Sequence, residues 1–452
     1  MIHARLSDAA HWSGAELFGR DIEFSGIEID SRRLTPGSLF VALKGAHYDG
    51  HDYLDEARSR GAVAALVSHC VPTSLPLLIA KDTFPALGRL AAAWRQRYQL
   101  PVIAVLGSNG KTTTRELISA ILRQREGEAL LVTQGNQNNA LGVPLSLFRL
   151  NSQHRAAVLE LGANGYGEIA ALSEMAKPDI AVITNAGLDH LSGFGGCEGA
   201  ARANGEVFSA MTDNGIAVLN GDDECLAIWR QLAGNDRLCI HFGFKSGVDV
   251  RGKWQPRFDG GDLTIESLWW GRIQTRLHLM GSHNALNALA ATAVCLVLDI
   301  EPDAIAAGLE SVRPVAGRLQ LRSGIGGACI MDDTYNANPS SLAAALNTLT
   351  TLPGKKILVL GDMAELGNDS DTWHNWAGKV ARMMGVEEVF TIGDLAGLAA
   401  ASFGEGAQHF PDKHALVEAL FPQLKSGVNI LVKGSRLMAM ERVVEELLHH
   451  KH

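Results

Sequence analysis

Several things are scarce or missing in this chain, and each absence removes a class of protein. The six cysteines, Cys70, Cys197, Cys225, Cys239, Cys295 and Cys329, are scattered over 452 residues with no Cys-x-x-Cys pair. A chain of that length needs no covalent staples, so free thiols in a reducing compartment are expected. The longest apolar run, around 288–298, is too short to cross a bilayer, and the first residues are polar and amphipathic where a secretory signal would be basic and then apolar. A cytoplasmic location is the expectation. Positive charge is not in excess either: 40 Lys and Arg against 49 Asp and Glu leave a net charge of -9, which argues against a broad nucleic-acid surface. What remains is an ordinary soluble composition and a length beyond one hydrophobic core, suggesting about three domains at roughly 150 residues each.

The stretch 102–114 organises the rest. Val102-Ile103-Ala104-Val105-Leu106 reads as a buried strand, Gly107-Ser108-Asn109-Gly110 as a glycine turn, and Lys111-Thr112-Thr113-Thr114 leads into a helix running to about 123. Glycines let backbone N–H groups crowd a phosphate, the helix start is electropositive, the lysine caps the outer phosphates and a threonine hydroxyl can ligate magnesium. The outer glycine of the usual phosphate loop is missing, since Val105 holds its place, so this is a shorter Gly-x-x-Gly-Lys-Thr form.

Before it, 27–32 reads as an alternating strand ending in Asp30-Ser31-Arg32, 39–43 and 62–67 as buried strands and 51–60 as a helix. Asp30, Ser31 and Arg32 suit either an anionic ligand or a capped turn with an ion pair. Thr83 is a candidate cap for a helix over 86–98. After the loop, strands at 156–161, 180–184 and 216–219 alternate with helices at 168–175 and 199–211, the pattern of a mostly parallel sheet with ligands at the carboxyl ends of its strands. Those ends carry the polar residues. Gln134-Gly135-Asn136-Gln137-Asn138-Asn139 suits a polar substrate or a simple turn. Glu160 is the one charge in its strand, costly there unless paired or metal-bound, and it suits magnesium or an ion pair. Asn185, Asp189 and His190 follow the neighbouring strand. Short alternating strands over 248–279 suggest an antiparallel insertion. His283, Asn284 and Asn287 then open an alanine-rich helix over 285–298, facing either a base or their own cap.

Residues 314–318 read as a hinge, and a second doubly wound unit follows, with strands at 328–331, 356–360, 388–392 and 429–432. Each strand is followed by polar loops, at 332–339, 361–365, 393–394 and 433–436. The fold class expected is α/β in three domains: a small α/β domain over 1–82, a central doubly wound P-loop ATPase domain over 83–313 and a C-terminal Rossmann-like domain over 314–452. The tail His449-His450-Lys451-His452 reads as a frayed, solvated end.

The motifs at 107–113, Glu160, Asn185 with Asp189-His190, 281–284 with Asn287, Gly317-Arg318 and Asp333 stand in the order found in Mur ligases, the ATP-dependent amide-forming enzymes of peptidoglycan synthesis, and the whole chain resembles that family. The segments at 30–32, 39–44, 49–51, 135–144, 332–339, 361–367 and 433–436 resemble its last-acting member. The resemblance implies joining of D-alanyl-D-alanine to UDP-N-acetylmuramoyl-tripeptide through an acyl phosphate, with ATP and Mg2+ as cofactors and a monomer as the default. It implies that Gly107, Asn109, Gly110, Lys111, Thr112 and Thr113 hold the ATP phosphates. Thr112 and Glu160 would hold magnesium, with His190 helping to place a second ion. Lys111, Glu160 and His190 are then the expected catalytic residues, Asn284 and Asn287 approach the adenine, and Arg318 and Asp333 reach the nucleotide from the third domain. Ser31 and Arg32 would hold the UDP-sugar, with Asn136, Asn138, Asn139, Tyr335, Asn336 and Asn338 facing substrate.

One position departs. Where the family pattern has a lysine that becomes carbamylated to hold the second magnesium, this chain has Asn204, which cannot be carbamylated. Either a neutral amide takes over, with Glu206 as a compensating carboxylate, or that site is weak; retained activity is expected. A relative that adds another amino acid, such as a folylpolyglutamate synthase, is disfavoured by 335–339 and 361–367. An impaired ATP-binding partner is disfavoured by the intact Lys111, Thr112, Glu160 and His190.

Overall fold

The computed structural model describes residues 1–188 and 191–449. Their strands form four sheets, of two, five, nine and six strands. The five-stranded sheet runs Glu16–Phe18, Leu77–Ile79, Ala64–Val67, Leu39–Val41, Ile27–Glu28 in spatial order, parallel except for its first pair. The expected strand at 27–32 stops at Glu28, because Asp30 accepts the Arg32 N–H and turns Ser31–Arg33 into a short 3-10 helix.

The nine-stranded sheet positions the site. From one edge its strands are Gly271–Leu277, Gly260–Ser267, Val250–Arg257, Cys239–Gly243, Ile216–Asn220, Ile180–Ile183, Val102–Leu106, Ala156–Glu160 and Leu130–Val132. Seven of them, from Leu130–Val132 across to Val250–Arg257, are mutually parallel. The short strands expected over 248–279 pair antiparallel with one another as expected, but they are the far edge of this same sheet and no separate insertion, because Val250–Arg257 pairs in parallel with Cys239–Gly243. Alternation along Val102–Leu106 divides two cores: Ile103 and Val105 pack with the helices Lys111–Glu126 and Ser282–Val297, while Val102, Ala104 and Leu106 face the opposite core. That opposite core is shared with Leu6–Ser13 and Thr83–Arg95. The cap of the latter helix is Asp82, whose carboxylate accepts the Phe84 N–H, whereas the Thr83 hydroxyl is spent on the Ala42 carbonyl at 2.8 Å.

The six-stranded sheet orders Gln320–Ser323, Cys329–Asp333, Val428–Lys433, Lys355–Gly361, Glu388–Ile392 and Ala407–Phe410, parallel apart from the first strand. Both faces are covered by helices, with separate apolar clusters on each. The thiols of Cys70, Cys225, Cys239, Cys295 and Cys329 are free. Among the described residues no helix is long and apolar enough to cross a membrane.

Candidate active site

Strand Val102–Leu106 lies between Ile180–Ile183 and Ala156–Glu160. The chain leaves it first toward one edge of the sheet and later toward the other, and the crevice at such a switch point is where α/β sheets bind ligands. Two glycines make the loop there possible. A Cβ on Gly107, at φ 122°, would lie 2.1 Å from the Thr184 hydroxyl, and one on Gly110, at φ 84°, would lie 2.4 Å from Asn287 Oδ1. Side chains then pin the turn. Asn185 accepts the Asn109 N–H at 3.0 Å and donates to the Asn109 carbonyl at 2.9 Å, while Asn204 Oδ1 accepts the Gly107 N–H at 3.0 Å. The helix Lys111–Glu126 starts at Gly110 with no side-chain cap, so its first N–H groups are left for an anion. Lys111 folds its ammonium onto the Gly107 and Ser108 carbonyls. Thr113 occupies the same first helical turn.

Glu160 ends the adjacent strand and is only 3% exposed. Its carboxylate accepts from the Thr112 hydroxyl at 3.1 Å, from Arg115 Nη1 at 3.1 Å and from Asn138 Nδ2 at 2.9 Å. The ion pair with Arg115 offsets the burial of the charge. Arg115 was not foreseen: in sequence it is one more arginine on a helix, with nothing to mark it as inward-facing. A hydroxyl and a carboxylate side by side form the oxygen donor set that magnesium prefers, so Thr112 and Glu160 fit that ion.

Residues around the six-stranded sheet close over this crevice. Arg318 Nη2 donates to the Thr112 hydroxyl at 3.1 Å, its guanidinium lies 4.1 Å from the centre of the Tyr335 ring, and its buried Nε has no partner among the described residues. Asn338 caps the helix Pro339–Thr350 through its oxygen and donates its amide to Asn109 Oδ1 at 3.0 Å. Asp333 accepts from the Leu319 N–H and pairs with the buried Lys433, which also donates to the Asn336 carbonyl at 2.9 Å. Asn287 abuts the loop at Gly110 and donates to Asn284 Oδ1, and Asn284 donates to the Met280 carbonyl, so these two amides form a helix-start network against the loop. Enclosure pushes the neighbouring His283 imidazole down to about 4.

Other expected residues stand apart from this cluster. Ser31 donates to Glu56 at 3.0 Å, and Arg32 forms a two-pronged pair with Asp30 that holds the Asp30 carboxyl down at about 2. Asn139 spends its side-chain oxygen on the Leu141 and Gly142 N–H groups, and Asn136 is exposed. Glu206 does not turn toward the loop: its oxygens accept from the Gly167 and Ala170 N–H groups at 2.8 and 3.2 Å. Asp189 and His190 lie outside the described residues.

Three family models match in chain order: "Mur ligase family, catalytic domain" over 23–93, "Mur ligase middle domain" over 105–295 and "Mur ligase, glutamate ligase domain" over 317–436. The UDP-N-acetylmuramoyl-tripeptide--D-alanyl-D-alanine ligase of Escherichia coli strain K12 is 40% identical over 450 residues, 99% of each chain. The chain belongs to the Mur ligase family. This Mur ligase is accordingly an ATP-dependent enzyme that forms amide bonds in peptidoglycan synthesis. MurF from Acinetobacter baumannii superposes with a TM-score of 0.94 at 32% identity, over 99% of both chains. MurF from Thermotoga maritima in complex with ADP gives 0.85 at 30%, over 94% of this Mur ligase and 97% of that chain. The three-domain Mur ligase architecture is thus present.

Proposed function

We propose that this Mur ligase joins D-alanyl-D-alanine to UDP-N-acetylmuramoyl-tripeptide at the expense of ATP, in the cytoplasm and as a monomer. The observation that carries the reading is the meeting at Thr112, where one hydroxyl of the loop helix touches both the Glu160 carboxylate and the Arg318 guanidinium. Phosphate chemistry at the loop is thereby tied to the domain that would bring the second substrate. The domains divide as 1–82 for the UDP-sugar, with Ser31 and Arg32 contributing, 83–313 for ATP and 314–452 for the dipeptide.

A carboxylate is a poor electrophile, so its oxygen attacks the γ-phosphorus of ATP, the bond to the β-phosphate oxygen breaks and ADP leaves an acyl phosphate. The dipeptide amine attacks that carbonyl, inorganic phosphate departs and the amine loses a proton. Lys111, with Gly107, Asn109, Gly110, Thr112 and Thr113 around it, moves its ammonium from the loop carbonyls to the phosphates and stabilises the charge that builds there. The unpartnered Arg318 Nε supplies a further donor. Asn284 and Asn287 border the adenine, and Asp333, through its bond to the Leu319 N–H, keeps Arg318 in place. Magnesium held by Thr112 and Glu160, with His190 as a further candidate ligand, would supply charge neutralisation. Asn136, Asn138, Asn139, Tyr335, Asn336 and Asn338 face the amino-acid substrates, and closure at Asn338 and Arg318 excludes water from the acyl phosphate.

The test is phosphate release from ATP with UDP-N-acetylmuramoyl-tripeptide, with and without D-alanyl-D-alanine. Release that requires both is expected. Release indifferent to the dipeptide would remove it as the acceptor.

A further inference from the structure

Position 204 is where this chain departs from the family, and the surroundings of Asn204 say what replaces the missing lysine. Beside the phosphate loop lies a small cavity whose lining includes Gly107, Lys111, Gly162, Ala163 and Asn204. The one charged group in that lining is the Lys111 ammonium, and among the described residues no carboxylate, imidazole or thiol lines it. Asn204 is 8% exposed and uses both halves of its amide: Oδ1 accepts the Gly107 N–H at 3.0 Å and Nδ2 donates to the Ala200 carbonyl at 2.8 Å. Glu206, two residues on, is held by the Gly167 and Ala170 N–H groups at the start of the helix Glu168–Ala176.

A divalent cation in this cavity would face a lysine ammonium and a neutral amide whose oxygen already serves Gly107. Magnesium binds through oxygens, usually one or two carboxylates together with substrate phosphates, and here the described residues would add no anion to those the nucleotide brings. The donor set of the described residues therefore does not fit a second magnesium; Asp189 and His190 lie outside those residues. That set fits a positioning role, because Gly107 sits at φ 122° against Thr184 and the Asn204 oxygen fixes its N–H from the other side.

We propose that Asn204 makes this a one-cation ligase: its amide holds the phosphate loop in shape, and the cation held by Thr112 and Glu160 is the only one bound. The inference rests on the nucleotide-binding reading above, and the experiment separates the two. Manganese is titrated into the full-length protein with a non-hydrolysable imido analogue of ATP, and bound ion is counted by electron paramagnetic resonance. One ion per chain is expected. Two ions with the analogue bound would overturn the one-cation inference and leave the nucleotide reading standing, while failure to bind the analogue at all would overturn both.

The positioning role is read separately, from analogue affinity. Asn204→Ala removes the acceptor for Gly107 and is expected to weaken the analogue about tenfold, the scale of one hydrogen bond that keeps a buried donor satisfied. Asn204→Ser keeps a small neutral group that both accepts and donates, and is expected to recover part of that loss. Native affinity in the alanine variant, or a serine variant as weak as the alanine one, would overturn the positioning role. Thermal melting of each variant identifies one that does not fold, and the affinity of the folded variant against the native protein then decides.

Discussion

Val102–Leu106 and Lys355–Gly361 are central parallel strands of two similar sheets, each ending in a loop at the carboxyl edge, yet the two loops treat their backbone N–H groups in opposite ways. After Leu106, two glycines bring the backbone round and the helix Lys111–Glu126 begins without a side-chain cap. After Gly361, Asp362 spends one oxygen on the Leu395 and Ala396 N–H groups, at 3.0 and 2.7 Å, and the other on the Asp394 N–H at 3.0 Å. The fully buried His374 accepts the Met363 N–H at 3.0 Å. A doubly wound sheet is therefore not by itself a phosphate site. What decides is whether side chains at the strand ends use up the donors that an anion would need.

Four experiments break or sharpen that contrast. Lys111→Ala should lower ATP-dependent phosphate release on the order of a thousandfold, as expected for loss of a cation at developing charge, and steady-state kinetics beside a thermal melt would read it; a mild loss would remove Lys111 from the chemistry. Arg318→Ala should lower kcat about a hundredfold with the fold intact, because it removes the guanidinium that bridges to Thr112. Asp362→Ala should act on stability and not on nucleotide: about 2 kcal/mol lost in urea unfolding, from three N–H groups left without an acceptor. A gain of ATP affinity in that variant would mean that the six-stranded sheet carries a plugged phosphate site. The smallest effect concerns His283. Its folded pKa of about 4 lies below the ordinary 6.5, so between those values the unfolded chain binds the extra proton. Stability should be complete above pH 6.5 and decline as pH falls toward 4. Urea midpoints across that range, compared with His283→Asn, would show a flatter profile in the variant.

The same contrast explains what could be read ahead of the structure. Gly107, Gly110, Lys111 and Thr112 were legible because a phosphate loop is local: strand, turn and helix start are contiguous. Glu160 was legible as a charge among apolar neighbours, though its two possible roles were not separable until Arg115 appeared beside it. Arg115 and His374 gave no such signal, since their partners lie elsewhere in the chain, and Asp362, legible as part of a polar loop at a strand end, did not announce that it would consume N–H groups 32 to 34 residues away. Asn204 was visible as a departure, but its bond to Gly107 spans 97 residues and no spacing announces it. Boundaries failed where a side chain captured the backbone, as Asp30 does after Glu28 and Asp82 does before Thr83.

The Thr112 hydroxyl has a single hydrogen, and it is committed to Glu160, so only a lone pair is left for Arg318. The chain of bonds from Arg318 through Thr112 to Glu160 thus has a direction, like a diode between two segments 206 residues apart. A Glu160→Gln side chain can turn its amide N–H toward the same oxygen, where it would compete with the guanidinium for the hydroxyl's lone pairs. A change of charge deep in one domain would in that way be felt as a loosening of another, with no backbone moved between them.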